Sequence, residues 1–307
     1  MRNADTFVFT DAPFESCHAS TVAQTPSGLV CAWFAGTREG APDVAIWLSR
    51  RTQSWTTPVP VAGETGVACW NPVLHRTAGG EALLFYKAGP SPREWSGLVK
   101  RSADDGRTWS AAERLPAGIL GPVRSKPLEL DDGTLVCGSS VESYKAWASW
   151  VEITSDGGRS WTKHGPITAH GGIIQPTIVA APDGTLVMLC RSRALGRVVR
   201  ATSSDRGRTW SAAEPIDLPN PNSGIDAVGL DDGRIALVYN HTDRGRTPLN
   251  VAYSRNGGVT WEPGPVLEHE PGEYSYPAVV RGSDAALHVT YTWRRERIRY
   301  ATIHPSD

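Results

Sequence analysis

Three observations predict an all-β chain of six four-stranded units. First, an eight-residue run, Ser102 to Trp109, returns as Thr154 to Trp161, Ser203 to Trp210 and Ser254 to Trp261, with a shortened echo from Ser49 to Trp55. The closing tryptophans stand at 55, 109, 161, 210 and 261, a period near fifty residues at which each repeat is one small sheet. Second, a pattern of apolar strand, Gly-containing turn and apolar strand lies between the runs and occurs six times. Third, no stretch carries a 3.6-residue apolar period, so few helices are expected.

The eight-residue run reads as a tight hairpin turn. Its Asp accepts bonds from backbone N–H groups of the turn, and its Gly supplies a left-handed position. Its Ser or Thr adds a second local bond, and its Trp is large enough to pack between neighbouring units. The other hairpins cover His18–Ala35, Asn71–Lys87, Lys126–Ser139, Gln175–Arg191, Asp226–Asn240 and Tyr276–Trp293. Their turns hold Ser27-Gly28, Gly79-Gly80, Asp132-Gly133, Asp183-Gly184 and Asp232-Gly233. Two hairpins per unit give four strands, and six units account for the length. A repeat of sheets must hide its two edges. The last unit has no eight-residue run after Arg299–Ile303, and a stray strand, Thr6–Thr10, precedes the first hairpin. We therefore expect a six-bladed β-propeller, one domain over residues 1–307, with the ring closed by the N-terminal strand.

Composition bounds the partners. The 31 basic and 32 acidic residues leave a formal net charge of −1, which gives nucleic acid or a membrane surface no basic field to meet. No 18-residue apolar run is present, so no transmembrane helix is expected. The first twenty residues lack a basic region followed by an apolar stretch, so they do not read as a secretory signal. Five cysteines without CxxC spacing sit mostly in apolar strand patterns, which favours buried, reduced thiols and a cytoplasmic location. No metal-ligand spacing, phosphate-cradling Gly loop or GxSxG appears, so neither a metal nor another cofactor is expected.

Propellers hold ligands at the ends of their innermost strands. Aligning the six hairpins by their turns puts Ala19, Asn71, Lys126, Gln175, Asp226 and Tyr276 at one equivalent position, preceded by His18, Trp70, Ser125, Ile174, Ile225 and Ser275. Polar side chains so placed are either bonded to one another or solvated in a cleft. The run from Lys87 to Trp95 is turn-rich, and Trp95 either stacks on a sugar face or anchors its loop. Asp226 is a second carboxylate for the site or a loop-bonding residue.

The eight-residue run has the pattern of the Asp box of sialidases and related β-propellers, with Asn256 replacing Asp in the last copy. In that family these turns lie away from the catalytic face. The resemblance spans nearly the whole chain. Phe34-Ala35-Gly36-Thr37-Arg38, then Asp43 and Ile46 to Arg50, resembles the sialidase stretch with one active-site Arg and the acid/base Asp. Leu186 to Arg191 is similar to the strand bearing the second arginine of the carboxylate-binding triad, and Arg246 to Asn250 to the segment with the third. Glu273-Tyr274-Ser275-Tyr276 resembles the strand that supplies the Tyr nucleophile, with Tyr274 and Tyr276 both open in register. His18 stands where the family has a triad Arg, and Gln175 where a Glu assists the Tyr. In these departures the chain resembles the predicted-neuraminidase branch of the superfamily.

The resemblance implies an exo-acting glycoside hydrolase on an acidic terminal sugar. Arg38, Arg191 and Arg246 would bind the carboxylate, Asp43 would act as acid/base, and Tyr274 or Tyr276 as nucleophile. Asn71, Trp70, Lys126, Asp226 and Trp95 would add contacts to an oligosaccharide. Arginines suit a planar carboxylate, and a Tyr attacks an anionic sugar without the repulsion a carboxylate would meet. Two alternatives stay open. His18 can be the acid/base of a uronate-directed eliminating enzyme, as in related propellers that remove rhamnose from glucuronate. Otherwise the chain is a non-catalytic carbohydrate-binding propeller.

Overall fold

The computed structural model describes residues 2–305 of the chain. Among them every regular element is a β-strand, and the strands form six four-stranded antiparallel sheets: a six-bladed β-propeller. Blade I runs Ser16–Thr25, Gly28–Gly36, Ala45–Arg51 and Val59–Ala62. Blade II runs Cys69–Arg76, Ala82–Ala88, Ser96–Ser102 and Glu113–Arg114. Blade III has Leu128–Glu129, Leu135–Glu142, Trp147–Thr154 and Thr162–Ile167. Blade IV has Ile173–Ala180, Leu186–Ser192, Arg197–Ser203 and Glu214–Pro219. Blade V has Asp226–Gly229, Ile235–Tyr239, Leu249–Ser254 and Glu262–Glu268. Blade VI joins both ends of the chain: Tyr274–Arg281, Leu287–Trp293 and Arg297–Ile303, then Arg2–Phe7.

The second strand of a blade is covered on both faces, so it reads as a continuous apolar run: Ala82–Ala88 is ALLFYKA, buried throughout. Outer strands such as Glu214–Pro219 and Glu262–Glu268 are partly exposed and carry Pro and Glu, residues that discourage edge pairing. The chain divides into two compact units. The first holds residues up to Val123 together with those from Tyr276 on, and the second runs Arg124–Ser275. In the first unit, Phe34, Ile46, Leu48, Trp70 and Leu84 pack in one core cluster, and Cys17, Trp33, Ile298 and Tyr300 in another. In the second, Val136, Ile173 and Met188 belong to one cluster, and Leu189, Ile225 and Leu237 to the next. Each fully buried aliphatic side chain contributes about 1.5–3 kcal/mol.

The eight-residue turns form as their chemistry requires. Asp104 accepts from the Thr108 hydroxyl (2.6 Å), the Thr108 amide (2.8 Å), the Ser102 hydroxyl (2.8 Å) and the Arg107 amide (3.0 Å). These bonds hold its carboxyl far below the usual range, the Thr108 hydroxyl foremost, and Asp156 and Asp205 repeat the pattern. Gly106, at φ +76°, lies against Val30 of blade I and the Trp109 ring, each 3.4 Å from where a Cβ would stand. Such turns link adjacent blades and leave no carboxylate free for chemistry.

The closing strand is Arg2–Phe7, several residues earlier than Thr6–Thr10. It pairs with Arg297–Ile303 through Thr6 opposite Tyr300 and Phe7 opposite Arg299. The ladder ends soon after the Val8 amide donates to the Ile298 carbonyl (2.8 Å). Val8 and Phe9 are buried instead, Phe9 stacking on Trp33 at 5.0 Å. The apolar pair that resembled a strand interior is thus part of the packing beneath blade I.

All five cysteines are buried and none forms a disulfide. Burial raises the thiols of Cys17, Cys31, Cys69 and Cys190, to about 12 for the last two. No helix among the described residues is long and apolar enough to cross a membrane.

Candidate functional site

Four of the six aligned strand starts share a backbone device, and Lys126 and Asp226 do not. Ala19 (φ +55°), Asn71 (φ +39°), Gln175 (φ +54°) and Tyr276 (φ +51°) are all left-handed. In blades I, II and IV the ladder slips there, between His18 and Thr21, Trp70 and Val73, and Ile174 and Thr177. A left-handed residue with a side chain costs about 1–3 kcal/mol, so each bulge needs support from its surroundings. Hydroxyls supply part of it: Thr292 accepts from the Ala19 amide (3.1 Å) and Ser140 from the Gln175 amide (3.2 Å). The bulge re-aims the residues at the strand start.

In the first unit this brings aromatic residues together. His18, buried, lies 4.3 Å from the Tyr276 ring centroid at a 51° tilt and 5.7 Å from Phe34. The row continues from Phe34 to Trp70 (5.9 Å) and from Trp70 to Trp95 (6.2 Å). Trp70 Nε1 donates to the Gly89 carbonyl (2.8 Å), pinning the loop that carries Trp95. That loop closes tightly, since a Cβ on Gly89 would meet the Glu94 carbonyl oxygen at 2.2 Å. Gly40 sits over the Trp70 ring and holds the loop of Arg38 and Asp43 beside the row.

Asp43 is exposed and accepts from the Thr37 hydroxyl (2.6 Å) and amide (2.8 Å). Those bonds, the hydroxyl first, hold its carboxyl below the usual range, so it is ionised at neutral pH. Arg38 is exposed; its neighbour Glu39 pairs with Arg295, whose carbonyl accepts from the Cys17 amide (2.8 Å). The 294–297 turn is thereby tied to the start of blade I. Asn71 is buried, and Lys87 donates to the Pro122 carbonyl (2.7 Å).

The second unit carries the other candidates. Lys126 donates to Asp226 (3.0 Å) and to the Ala227 carbonyl (2.8 Å), while Thr177 takes the other Asp226 oxygen (2.9 Å). Asp226 is 2% exposed and bonded on both oxygens, the arrangement of a structural carboxylate. Gln175 is buried at its bulge. Arg191 is buried with its guanidinium over the Trp147 ring, 5.9 Å from the centroid.

Arg246 is half-buried, and its backbone is fixed by Asn240, a residue the sequence did not single out. The Asn240 amide nitrogen lies 2.9 Å from the Arg246 carbonyl, 3.0 Å from that of Pro248 and 2.9 Å from that of Tyr274. The Tyr274 amide donates to the same Arg246 carbonyl (3.1 Å). Tyr274 is itself fully buried, and a Cβ on Gly272 would stand 2.8 Å from its hydroxyl. Tyr276, two residues on, is half-buried and left-handed against His18. Trp147 and Asn240 carry no local motif, and Phe34 was read only as part of the Arg38 stretch; their contacts come from partners distant in the chain.

A family model described as a BNR repeat-like domain matches residues 27–289. The chain belongs to that family. It is 26% identical over 183 residues to a sialidase of Bacteroides fragilis (strain YCH46), a match covering 54% of this chain and 33% of that protein. The chain thus spans about a third of the length of the curated sialidases it matches. A Dyadobacter fermentans DSM 18053 protein of unknown function superposes with a TM-score of 0.85 at 18% identity, covering 99% of this chain and 98% of that one. The NanB sialidase of Streptococcus pneumoniae superposes at 0.79 with 12% identity, covering 99% and 71%. At these identities the BNR-family chain shares its fold with the solved structures.

Proposed function

We propose that this BNR-family protein is an exo-acting glycoside hydrolase on an acidic terminal sugar, with Tyr276 as nucleophile and His18 as its proton acceptor. The observation that carries this reading is the pairing of a half-buried, left-handed Tyr276 with a buried His18 at 4.3 Å. Tyr274 is packed away from solvent, so Tyr276 is the tyrosine a substrate can reach. Tyr276 Oη would attack the anomeric carbon while His18 takes the phenolic proton. The glycosidic C–O bond breaks, and the leaving oxygen takes a proton from an acid. Water then releases the sugar from the tyrosine. Gln175 cannot accept a proton, which leaves that step to His18.

Asp43 is the candidate acid/base. Its bonds to Thr37 favour the ionised form, so protonating a leaving group requires those bonds to yield when substrate binds. Arg38, Arg191 and Arg246 are the candidate carboxylate ligands, suited by a charge that does not titrate. Asn71, Trp70 and Trp95 are the candidate sugar contacts beside the His18–Tyr276 pair. The distant likeness to sialidases supports the substrate class.

A second reading is favoured by the ionised state of Asp43 and the same His–Tyr pair. His18 would abstract the proton next to a uronate carboxylate and Tyr276 would protonate the departing oxygen, a β-elimination. Incubation with uronate-terminated and nonulosonate-terminated oligosaccharides separates the readings. Released sugar without ultraviolet absorbance supports hydrolysis, and an absorbing unsaturated uronate supports elimination. Binding without bond cleavage by the unmodified protein refutes both and leaves a carbohydrate-binding propeller.

A further inference from the structure

The second unit holds a cationic shelf beside Arg191 that the proposed chemistry does not use. Arg193 lies over the same Trp147 ring, its guanidinium carbon 5.1 Å from the centroid, against 5.9 Å for Arg191. Residues two apart at a strand end project to the same side, so one indole gathers both cations. Stacking on an indole orients a guanidinium plane while leaving its N–H edge for a ligand.

The shelf is tightly built. Gly171 and Gly172, left-handed at φ +76° and +89°, form a turn wedged between Trp147 and Ala194. A Cβ on Gly171 would stand 2.6 Å from the Ala194 Cβ, and one on Gly172 2.8 Å from the Trp147 Cβ. The Arg193 amide donates to the Gly172 carbonyl (2.9 Å), fixing the root of its side chain. Arg193 is exposed, as is Lys145 in the turn leading to Trp147. Glu142 stands opposite Trp147 in the ladder. Arg197, further along the hairpin, is paired with Asp217 at 2.7 Å, whereas among the described residues no carboxylate stands within ion-pair distance of Arg193.

The geometry points to Arg193 as a specificity determinant that reads a second anionic group, on the sugar next to the one whose carboxylate Arg191 would bind. The preferred ligand is then a polyanionic oligosaccharide rather than a neutral chain with a single acidic end. This rests on the acidic-sugar reading above. A carboxylate and a sulfate offer Arg193 the same planar-fork chemistry and are distinguished by the ligands chosen.

The test is calorimetric binding, at two salt concentrations, of three probes: an oligoglucuronate, a neutral oligosaccharide capped by one glucuronate, and that capped chain sulfated on its second sugar. For the unmodified protein the doubly charged probes bind more tightly. In Arg193→Ala the preference for them over the singly charged probe falls about tenfold, the worth of one charged hydrogen-bonded contact. Arg193→Lys, which keeps the charge and loses the stacked fork, falls between. Loss confined to the sulfated or to the oligoglucuronate probe assigns the group. An unchanged preference in Arg193→Ala, with its melting temperature intact, overturns the inference alone. Failure of the unmodified protein to bind any of the three overturns this inference, and the acidic-sugar reading falls with it if the nonulosonate-terminated oligosaccharides also fail to bind.

Discussion

Two histidine–tyrosine pairs stand in the same unit of the molecule. His288 and Tyr300 belong to neighbouring strands of blade VI and stack at 5.9 Å with their planes 11° apart. His288 Nδ1 lies 2.7 Å from the Tyr300 hydroxyl and Nε2 lies 3.2 Å from Asp284, while the Thr302 hydroxyl donates to Tyr300 (2.9 Å). Arg51 covers the Tyr300 ring at 5.0 Å. Both polar atoms of that histidine are held, one by the neighbouring strand and one by the turn that precedes its own strand. His18 and Tyr276 meet at 4.3 Å and 51° where Ala19 and Tyr276 are both left-handed. Regular ladder geometry makes a histidine–tyrosine contact a brace. The same residue types at strained strand starts form a pair whose geometry the whole fold must maintain, and such strain accumulates at functional sites.

The sharpest way to break this contrast is to remove one hydroxyl from each pair. Tyr276→Phe is expected to lower turnover on the order of a thousandfold or more with a nearly unchanged melt, whereas Tyr300→Phe is expected to retain turnover. A Tyr276→Phe protein that cleaves acidic oligosaccharides normally would remove the tyrosine from the mechanism. His18→Ala comes next, with a loss of about 10²–10⁴-fold in kcat. If only KM moves, His18 binds rather than transfers protons.

Stability effects follow. Deleting residues 1–10 strips the strand that runs beside Tyr300 and should abolish cooperative unfolding, read by calorimetry; an unchanged melt would contradict the role of that strand as the clasp of blade VI. Tyr300→Phe should cost about 1–3 kcal/mol, because it leaves buried His288 without its partner at Nδ1. Denaturant titration measures it, and no loss would show the brace to be idle.

The smallest effect is one of pH. Burial lowers the His288 imidazole below its ordinary value, with Arg51 and His304 acting in the same direction and Asp284 opposing. A depressed folded value means that the unfolded chain takes up this proton first. Stability is therefore fully present above about pH 6.5 and declines as pH falls below it, by at most about 1.4 kcal/mol per pH unit. In His288→Gln the melting temperature should fall less steeply over that range. A slope identical to that of the unmodified protein would assign the acid sensitivity to other groups.

Much of the fold was legible because its signals are local. An Asp-box turn closes bonds within eight residues, and a Gly-containing hairpin turn needs only its own φ, so four such runs with a shortened echo and six hairpins declared six blades without long-range information. The strand starts were legible in part, since four of the six aligned residues, Ala19, Asn71, Gln175 and Tyr276, share a left-handed backbone that Lys126 and Asp226 lack. The N-terminal strand was misplaced because apolarity does not distinguish a strand interior from a buried plug. Val8 and Phe9 fill space under Trp33, and Arg2–Phe7 makes the ladder.

Candidate residues could be named from sequence types at the aligned starts, but their states could not. Tyr274 is buried, with Gly272 leaving room for its ring, whereas Tyr276 is half-buried and left-handed beside His18. Lys126 and Asp226 stand a hundred residues apart and form an ion pair. Arg191, Arg193 and Trp147 meet through a cation–aromatic contact across blades, which leaves no spacing to read.

By itself the sequence determined the repeat, the strand count and the residue types at each strand start, because turns and periodicity are written in near neighbours. The tertiary structure alone decided which tyrosine is accessible, which carboxylate is bonded and which arginines share an indole. Those outcomes depend on burial and on contacts between blades, and residues distant in the chain supply both.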